Sequence, residues 1–466
     1  MHAPSTSAPW WRQLTGYHWF VLLVASAAWF FDCLDQRLFS LARIPALSAL
    51  MLDSHGAPLA AGNPAVQEYG KVVTAFFLIG WGIGGMIFGA LGDKFGRAKM
   101  LTLTILIYSA CTGLSFFSQT QFDFTLFRFL TGVGVGGVFG LAVALIAETV
   151  PDGARAQSLG LLQVLSTIGN LAAGFASKGI TELDRSHIIK SGTGWRWMFL
   201  IGAAPALLIV LTRHRLKEPE PWLRLKEQGR LPKGSIFAPY AALLADARWR
   251  KNLIVGALIA STGVVGLWAI GEYAVDLQNA VFTTHFTKPG ISAADVKLAV
   301  SDAKNNAYLL NMLGAGIGMW IFTRFASAFG RRPAFFGGFL IAMFVTAYVY
   351  RYMDSPTDAY WMMPLMGAAQ LSLFAGFAIY LPELFPSRLR STGTSFCYNL
   401  GRFAAAVGSF FSAELTAFYT KSHPTGVVAL RYAAMTMCVI FLVGIVTLFF
   451  APETKGQPLP EETAAA

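Results

Sequence analysis

The sequence predicts an all-α integral membrane protein whose twelve spanning helices form two similar six-helix halves. Three observations lead there: a composition too apolar for a water-facing surface, twelve apolar runs of spanning length, and loop motifs that recur about 235 positions later. Of 466 residues, 55% are hydrophobic and only 13% are charged, against about 25% charged in soluble proteins. So few charges cannot cover a water-facing globule, and lipid must be part of the solvent. The abundant glycines suit helices that approach closely in lipid, and the tryptophans suit the headgroup level. The net charge is +11. Its basic residues lie in the connections between apolar runs, which makes them a topology signal and argues against nucleic acid as a partner. Cys33, Cys111, Cys397 and Cys438 stand singly in apolar runs, without metal-ligand or redox spacing, and read as small core residues. No metal site is expected.

A spanning helix needs about 20 mostly apolar residues. The first half offers such runs at 17–41, 70–92, 98–118, 122–149, 155–178 and 194–213. The second half offers 252–282, 304–324, 333–352, 359–381, 391–418 and 427–451. This divides the chain into an N-terminal segment (1–16), a first bundle (17–213), a linker (214–251), a second bundle (252–451) and a tail (452–466). The N-terminal segment lacks the apolar core of a signal peptide. The linker carries Arg215, Lys217, Arg224, Lys226, Arg230, Lys233, Arg248, Arg250 and Lys251. Basic loops stay cytoplasmic, and an even number of spans then places both termini inside. Within the linker, Pro219 to Leu223 reads as the start of a surface amphipathic helix.

The chain repeats itself. Gly89-Ala-Leu-Gly-Asp93-Lys-Phe-Gly96-Arg97 joins spans two and three, and Phe325-Ala-Ser-Ala-Phe-Gly330-Arg331-Arg332 joins spans eight and nine, with Gly96 and Gly330 separated by 234 positions. Glu148, Pro151 and Arg155 follow span four, and Glu383, Pro386 and Arg390 follow span ten, each offset by 235. One offset at matching loops implies an internal duplication, and two such halves can rock around a central cavity.

The first of these motifs resembles the Gly-x-x-x-Asp-(Arg/Lys)-x-Gly-Arg signature of the major facilitator superfamily. Gly330 marks its weaker second copy, in which Ser327 takes the acidic position. Arg128-x-x-x-Gly132-x-Gly134-x-Gly136-Gly137 resembles the span-four motif of proton-coupled members. Pro382 to Pro386, through Gly393, resembles the loop after span ten in sugar-porter and organic-ion relatives, and Pro452-Glu453-Thr454-Lys455-Gly456 resembles the C-terminal signature of the sugar-porter-like branch. The resemblance implies the major facilitator fold and a secondary transporter. It also implies a charge latch at the inner ends of the spans, made by Gly89, Asp93, Gly96, Arg97, Glu148 and Arg155 with Arg331, Glu383 and Arg390.

Ionisable residues within spans are costly, and so point to function. Span one carries Asp32 and Asp35 on one helix face, and span four begins with Arg128. In the resembled family a span-one Asp near a span-four Arg couples transport to protons. Asp35 matches that position best, and Asp32 resembles the extra acid of the aromatic-acid symporters. Burial favours a neutral carboxyl while a nearby guanidinium favours the charged one, so opening to either face changes proton occupancy. In span eleven, Arg402 has no acid nearby in sequence except Glu414, and reads as an anchor for a substrate carboxylate. Tyr398 and Asn399 precede it. Other candidates for substrate contact are Gln163, Asn170, Glu272, Tyr273, Asn311, Gln370 and Tyr380.

The expected activity is proton-coupled import of a small organic acid by alternating access. A sugar:proton symporter is the alternative, although the sugar-porter Gln-Gln pattern of span seven is replaced by Gly263-Val-Val-Gly266-Leu-Trp268. A drug or cation antiporter lacks its usual span-five Gly-Pro, and a solute receptor lacks its long tail. No catalytic set or nucleotide-binding loop is present, so no enzyme activity and no cofactor beyond the proton are expected. The partners expected are an anionic small molecule, protons and lipid, and the chain is expected to work as a monomer in a bacterial inner membrane.

Overall fold

In a computed structural model that describes residues 9–61, 63–190, 192–422 and 426–461, the chain is helical almost throughout. The first half comprises α1 (Gly16–Leu50), α2 (Pro64–Phe95), α3 (Arg97–Ser115), α4 (Gln121–Thr149), α5 (Asp152–Arg185), α6 (Gly194–Gly202) and α7 (Ala206–Arg215). The linker holds α8 (Glu220–Glu227) and α9 (Ala238–Ala245). The second half comprises α10 (Ala247–Phe286), α11 (Ala293–Phe329), α12 (Arg331–Tyr352), α13 (Pro356–Glu383), α14 (Arg390–Ser422), α15 (Gly426–Met437) and α16 (Ile440–Thr447).

Polar residues just ahead of the apolar runs start the helices. Thr15 and Thr120 form capping boxes with His18 and Asp123, and Asn63, Asp246, Ser292 and Ser355 accept from the first free backbone N–H groups. Among the described residues, nine of these helices, and α15 with α16 taken as one run over Val427–Thr447, are long and apolar enough to cross a membrane. The two remaining expected spans differ. Span six is broken into α6 and α7 ahead of Pro205, which has no N–H to continue the ladder. Span eleven is α14, 33 residues long, whose first half is rich in Ser and Thr and carries Arg390 and Arg402.

The two halves repeat one packing plan. In the first, α2 and α3 pack on α4, and α1 on α5. In the second, α11 and α12 pack on α13, and α10 on α14. The halves meet along α2–α14 and α5–α11. Gly82, Gly85 and Gly89 of α2 face Phe403, Asn399 and Ser395 of α14, where any Cβ would collide. The polar first half of α14 is thus buried against bare backbone instead of lipid.

Gly96 and Gly330 both sit at φ +112°, a conformation that suits glycine, and turn the chain sharply from α2 to α3 and from α11 to α12. A twin cap accompanies these turns. Glu218 accepts from the N–H groups of Ala98 and Lys99 at 3.1 and 3.0 Å. Glu453 accepts from those of Arg331 and Arg332 at 2.9 and 3.0 Å. The two glutamates are again 235 positions apart, so the duplication extends into the segment that follows each bundle. Burial works against the charge on Glu453, but four backbone N–H bonds outweigh it and hold its carboxyl below the usual glutamate range. Its stabilisation is therefore present above the unfolded-state value and lost as pH falls through the lowered folded value. Glu453→Ala should cost about 1 kcal/mol at neutral pH, read as a lower thermal unfolding midpoint in detergent.

Candidate functional site

A cavity of about 530 Å³ lies between the halves. Trp29, Trp81, Gln163, Tyr398 and Arg402 line its floor. Ser40, Gln278, Ser301 and Lys304 line it toward the end that carries loops 51–63 and 287–292. At the opposite end, beside the linker, the halves are shut by a buried polar belt.

The belt grows from the two motifs. Asp93, at the end of α2, accepts from the N–H groups of Ser391 and Thr392 at 3.1 and 2.8 Å and from the Thr392 hydroxyl at 2.6 Å. It thus caps the start of α14 from the other half, where a negative charge is favoured. Arg97 pairs with Asp93 at 3.0 Å and with Glu148 at 3.1 Å, and donates to the Ser387 carbonyl. Glu148 also receives Arg390 at 2.6 Å and the Ser387 hydroxyl at 2.7 Å, both from the second half. Trp222 of α8 donates to the Asp93 carbonyl at 2.9 Å and ties the linker to the belt.

The pseudo-symmetric belt of the second half is incomplete. Arg331 grips Glu383 through two bonds of 2.9 and 2.7 Å, and Thr454 donates to the same carboxylate at 2.6 Å. The hydroxyl of Ser327, at the acidic position, turns back to Thr323 of its own helix. Arg390, matched by the repeat to the second half, does not join Glu383 there but crosses to Glu148. Arg155 holds Asp152 and the Ala147 carbonyl within the first half.

The two span-one acids are held differently. Asp35 accepts from Thr112 at 3.0 Å and lies 3.5 Å from Arg128, which also donates to Ser115 at 2.8 Å and stacks on Phe199. Asp32 accepts from Gln36 at 3.2 Å, and its other oxygen is buried without a partner. The charge of Arg402 acts on Asp32 without a direct pair. Arg402 lies over the Trp81 ring at 3.3 Å and near Tyr398 at 5.0 Å, and its Nε is buried and unpartnered. It does not pair with Glu414, which is exposed. Gln163 accepts from Trp29 at 3.0 Å and keeps its amide N–H₂ unpartnered. The floor thus holds two unused donors, on Arg402 and Gln163, and one unused acceptor, on Asp32, is buried behind it.

Of the residues expected to contact substrate, Gln163, Asn170, Asn311, Gln370, Tyr398 and Arg402 line the cavity. Three do not. Asn399, one position past Tyr398 and so about 100° around the helix, packs on α2 and bonds Ser395. Tyr273 is buried against Tyr350 within the second half. Tyr380 sits too near the linker end of α13, where its hydroxyl donates to the Pro452 carbonyl at 2.7 Å. The Glu272 side chain lies outside the described residues. Trp29, Trp81, Phe374, Lys304 and Tyr308 also line the cavity, and the sequence alone does not single them out. Only Lys304 carried a signal, as a cation early in span eight.

The family of sugar (and other) transporters, matched as a model, aligns with residues 45–236 and 304–465. The chain belongs to that family. Among relatives, the cis,cis-muconate transport protein of Acinetobacter baylyi is 27% identical, across 85% of this chain and 88% of that protein. The niacin transporter of the same organism is 25% identical, across 95% and 96%. The solved proton:xylose symporter bound to 6-bromo-6-deoxy-D-glucose aligns with a TM-score of 0.70 at 20% identity, across 95% of this chain and 98% of that one. The last likeness establishes the major facilitator fold. As a member of this family the chain is a multi-pass membrane transporter and not an enzyme.

Proposed function

We propose that this transporter imports small organic acids together with protons. One observation carries the reading: among the described residues the charged side chains lining the cavity are Arg37, Lys304 and Arg402, with no carboxylate beside them. Such a wall concentrates anions and repels cations. The aromatic faces of Trp29, Trp268, Phe374 and Tyr398 suit a flat, partly apolar body. Two relatives are named for carboxylic acids, niacin and muconate, which supports the same class. A sugar is the weaker reading because two of the amide groups suited to hydroxyls are already engaged. Asn311 donates to the Met363 carbonyl and Gln370 to Thr346.

The coupling follows from one shared charge. Asp32 and a substrate carboxylate both draw on Arg402, which can neutralise only one of them in a dry site. A proton on Asp32 leaves Arg402 to the substrate, so proton and anion bind together. The Asp35–Arg128 pair lies one turn further along α1 and feels the same change. By the positive-inside rule the linker end and both termini are cytoplasmic, in a bacterial inner membrane, and the closed belt faces the cytoplasm.

Uptake of labelled nicotinate, benzoate and glucose into proteoliposomes tests this. An inward proton gradient should drive accumulation of the acids and not of glucose. Asp32→Asn should abolish accumulation while exchange of preloaded acid survives, and Asp35→Asn should reduce accumulation. Asp32→Asn, fixed in the neutral form, should bind acid with little dependence on pH. Gradient-independent acid uptake, or accumulation of glucose alone, would overturn the reading.

A further inference from the structure

The three cations of the cavity stand at two depths. Arg402 shares the level of Asp32, on which its charge acts. Arg37 stands five residues beyond Asp32 on α1, about 7.5 Å nearer the open end at ~1.5 Å per residue. Lys304 of α11 faces it closely enough for the two like charges to act on each other. The Arg37 guanidinium lies over the Tyr308 ring at 3.7 Å, and its Nε is buried without a partner. Among the described residues Arg37 makes no ion pair. Lys304 donates to Asn279 at 2.7 Å, which leaves its other two N–H groups available. Asp276 also acts on Lys304, but it is exposed and outside the cavity wall. Two cations brought together on a cavity wall with no carboxylate between them among the described residues repel each other, and an anion placed there removes that cost.

We propose that Arg37 and Lys304, backed by Tyr308, form a second anion subsite, and that the preferred substrate is a dicarboxylate with its carboxyl groups at opposite ends of a flat body. Arg402 takes one end and Arg37 with Lys304 the other. The body lies along the wall of Trp268, Leu371 and Phe374. A guanidinium stacked on a ring keeps its in-plane N–H groups free for a carboxylate, so the Tyr308 contact orients Arg37 without using it up. This inference rests on the organic-acid reading above.

The test uses the purified full-length transporter, with tryptophan fluorescence or calorimetry reporting the affinities of benzoate and of terephthalate, its para-dicarboxylate analogue. Wild type should favour terephthalate by about tenfold or more, the worth of one added charge-assisted contact. Arg37→Gln and Lys304→Gln should each collapse that preference, Arg37→Lys should retain part of it, and Arg402→Gln should weaken both ligands. Lys297→Gln, an exposed cation outside the cavity wall, serves as the control and should leave the ratio as it is. No terephthalate preference in wild type, or a ratio that survives both Arg37→Gln and Lys304→Gln, overturns the second subsite. Benzoate binding that still depends on Arg402 would then leave the organic-acid reading intact. Failure of wild type to bind either acid overturns that reading and the subsite with it. If Arg37→Gln does not fold, Lys304→Gln and Arg37→Lys carry the same ratio test.

Discussion

Replacing Arg402 with glutamine should weaken binding of an organic acid by about a hundredfold or more. Losing one partner of a desolvated charge pair costs about 2–5 kcal/mol, and each 1.4 kcal/mol is tenfold. The same substitution should leave thermal stability unchanged or raise it. Arg402 is buried, stacks on Trp81 and lacks an ion-pair partner among the described residues, so in the empty protein it is a desolvated charge with little return. A residue kept for structure would behave the opposite way, with stability lost on removal. Arg402→Lys separates charge from shape. It keeps the cation but loses the planar fork and the ring contact, so affinity should fall between wild type and Arg402→Gln. Calorimetric titration with nicotinate, alongside thermal unfolding of the same samples, reads both quantities. Unchanged affinity in Arg402→Gln would move the anion site elsewhere in the cavity.

Glu148→Gln should open the linker end. In the closed belt one carboxylate holds Arg97 from its own half and Arg390 from the other, with Ser387 as a third donor. Neutralising it leaves two guanidinium groups buried together, and breaking a buried pair from one side costs about 3–5 kcal/mol. When the end opens, both arginines meet water and the cost disappears. About 5.5 kcal/mol moves a two-state population from 1:99 to 99:1, so the substitution should turn a mostly closed end into a mostly open one. Spin labels at Phe95 and Phe329, exposed at the linker ends of α2 and α11, report the distance between halves once the four native cysteines are replaced. The distance should lengthen in Glu148→Gln. Asp93→Ala should lengthen it too, since the cap on α14 is lost. A distribution identical to wild type would mean that the belt is a by-product of closure and not its cause.

Much of this was legible in the chain. Hydropathy runs gave the helices, because in lipid every backbone group must be satisfied within a helix and its length is set by the bilayer. The repeat offset gave the two halves. Arg97 with Glu148, and Asp35 with Arg128, were readable as pairs because charges in apolar runs need partners and few were present. The breaks in span six and the polar start of α14 blurred the twelve-helix count. A window of hydropathy does not register that Ser391, Thr392 and Ser395 would be buried against a glycine face.

What the chain by itself determined is therefore the membrane fold, its duplication and the short list of charges that had to be buried. The tertiary structure decided which way each of them faces. A helix turns about 100° per residue, so Tyr398 lines the cavity while Asn399 beside it packs against α2. Equally, Arg37 reaches Tyr308 only because α1 and α11 face each other across the two halves. Arg390 was matched by position to the second half, yet it pairs with the first. Such contacts join residues hundreds of positions apart, and they exist in one arrangement of the two bundles. No local pattern encodes that arrangement, because it is set by the packing of whole helices against each other.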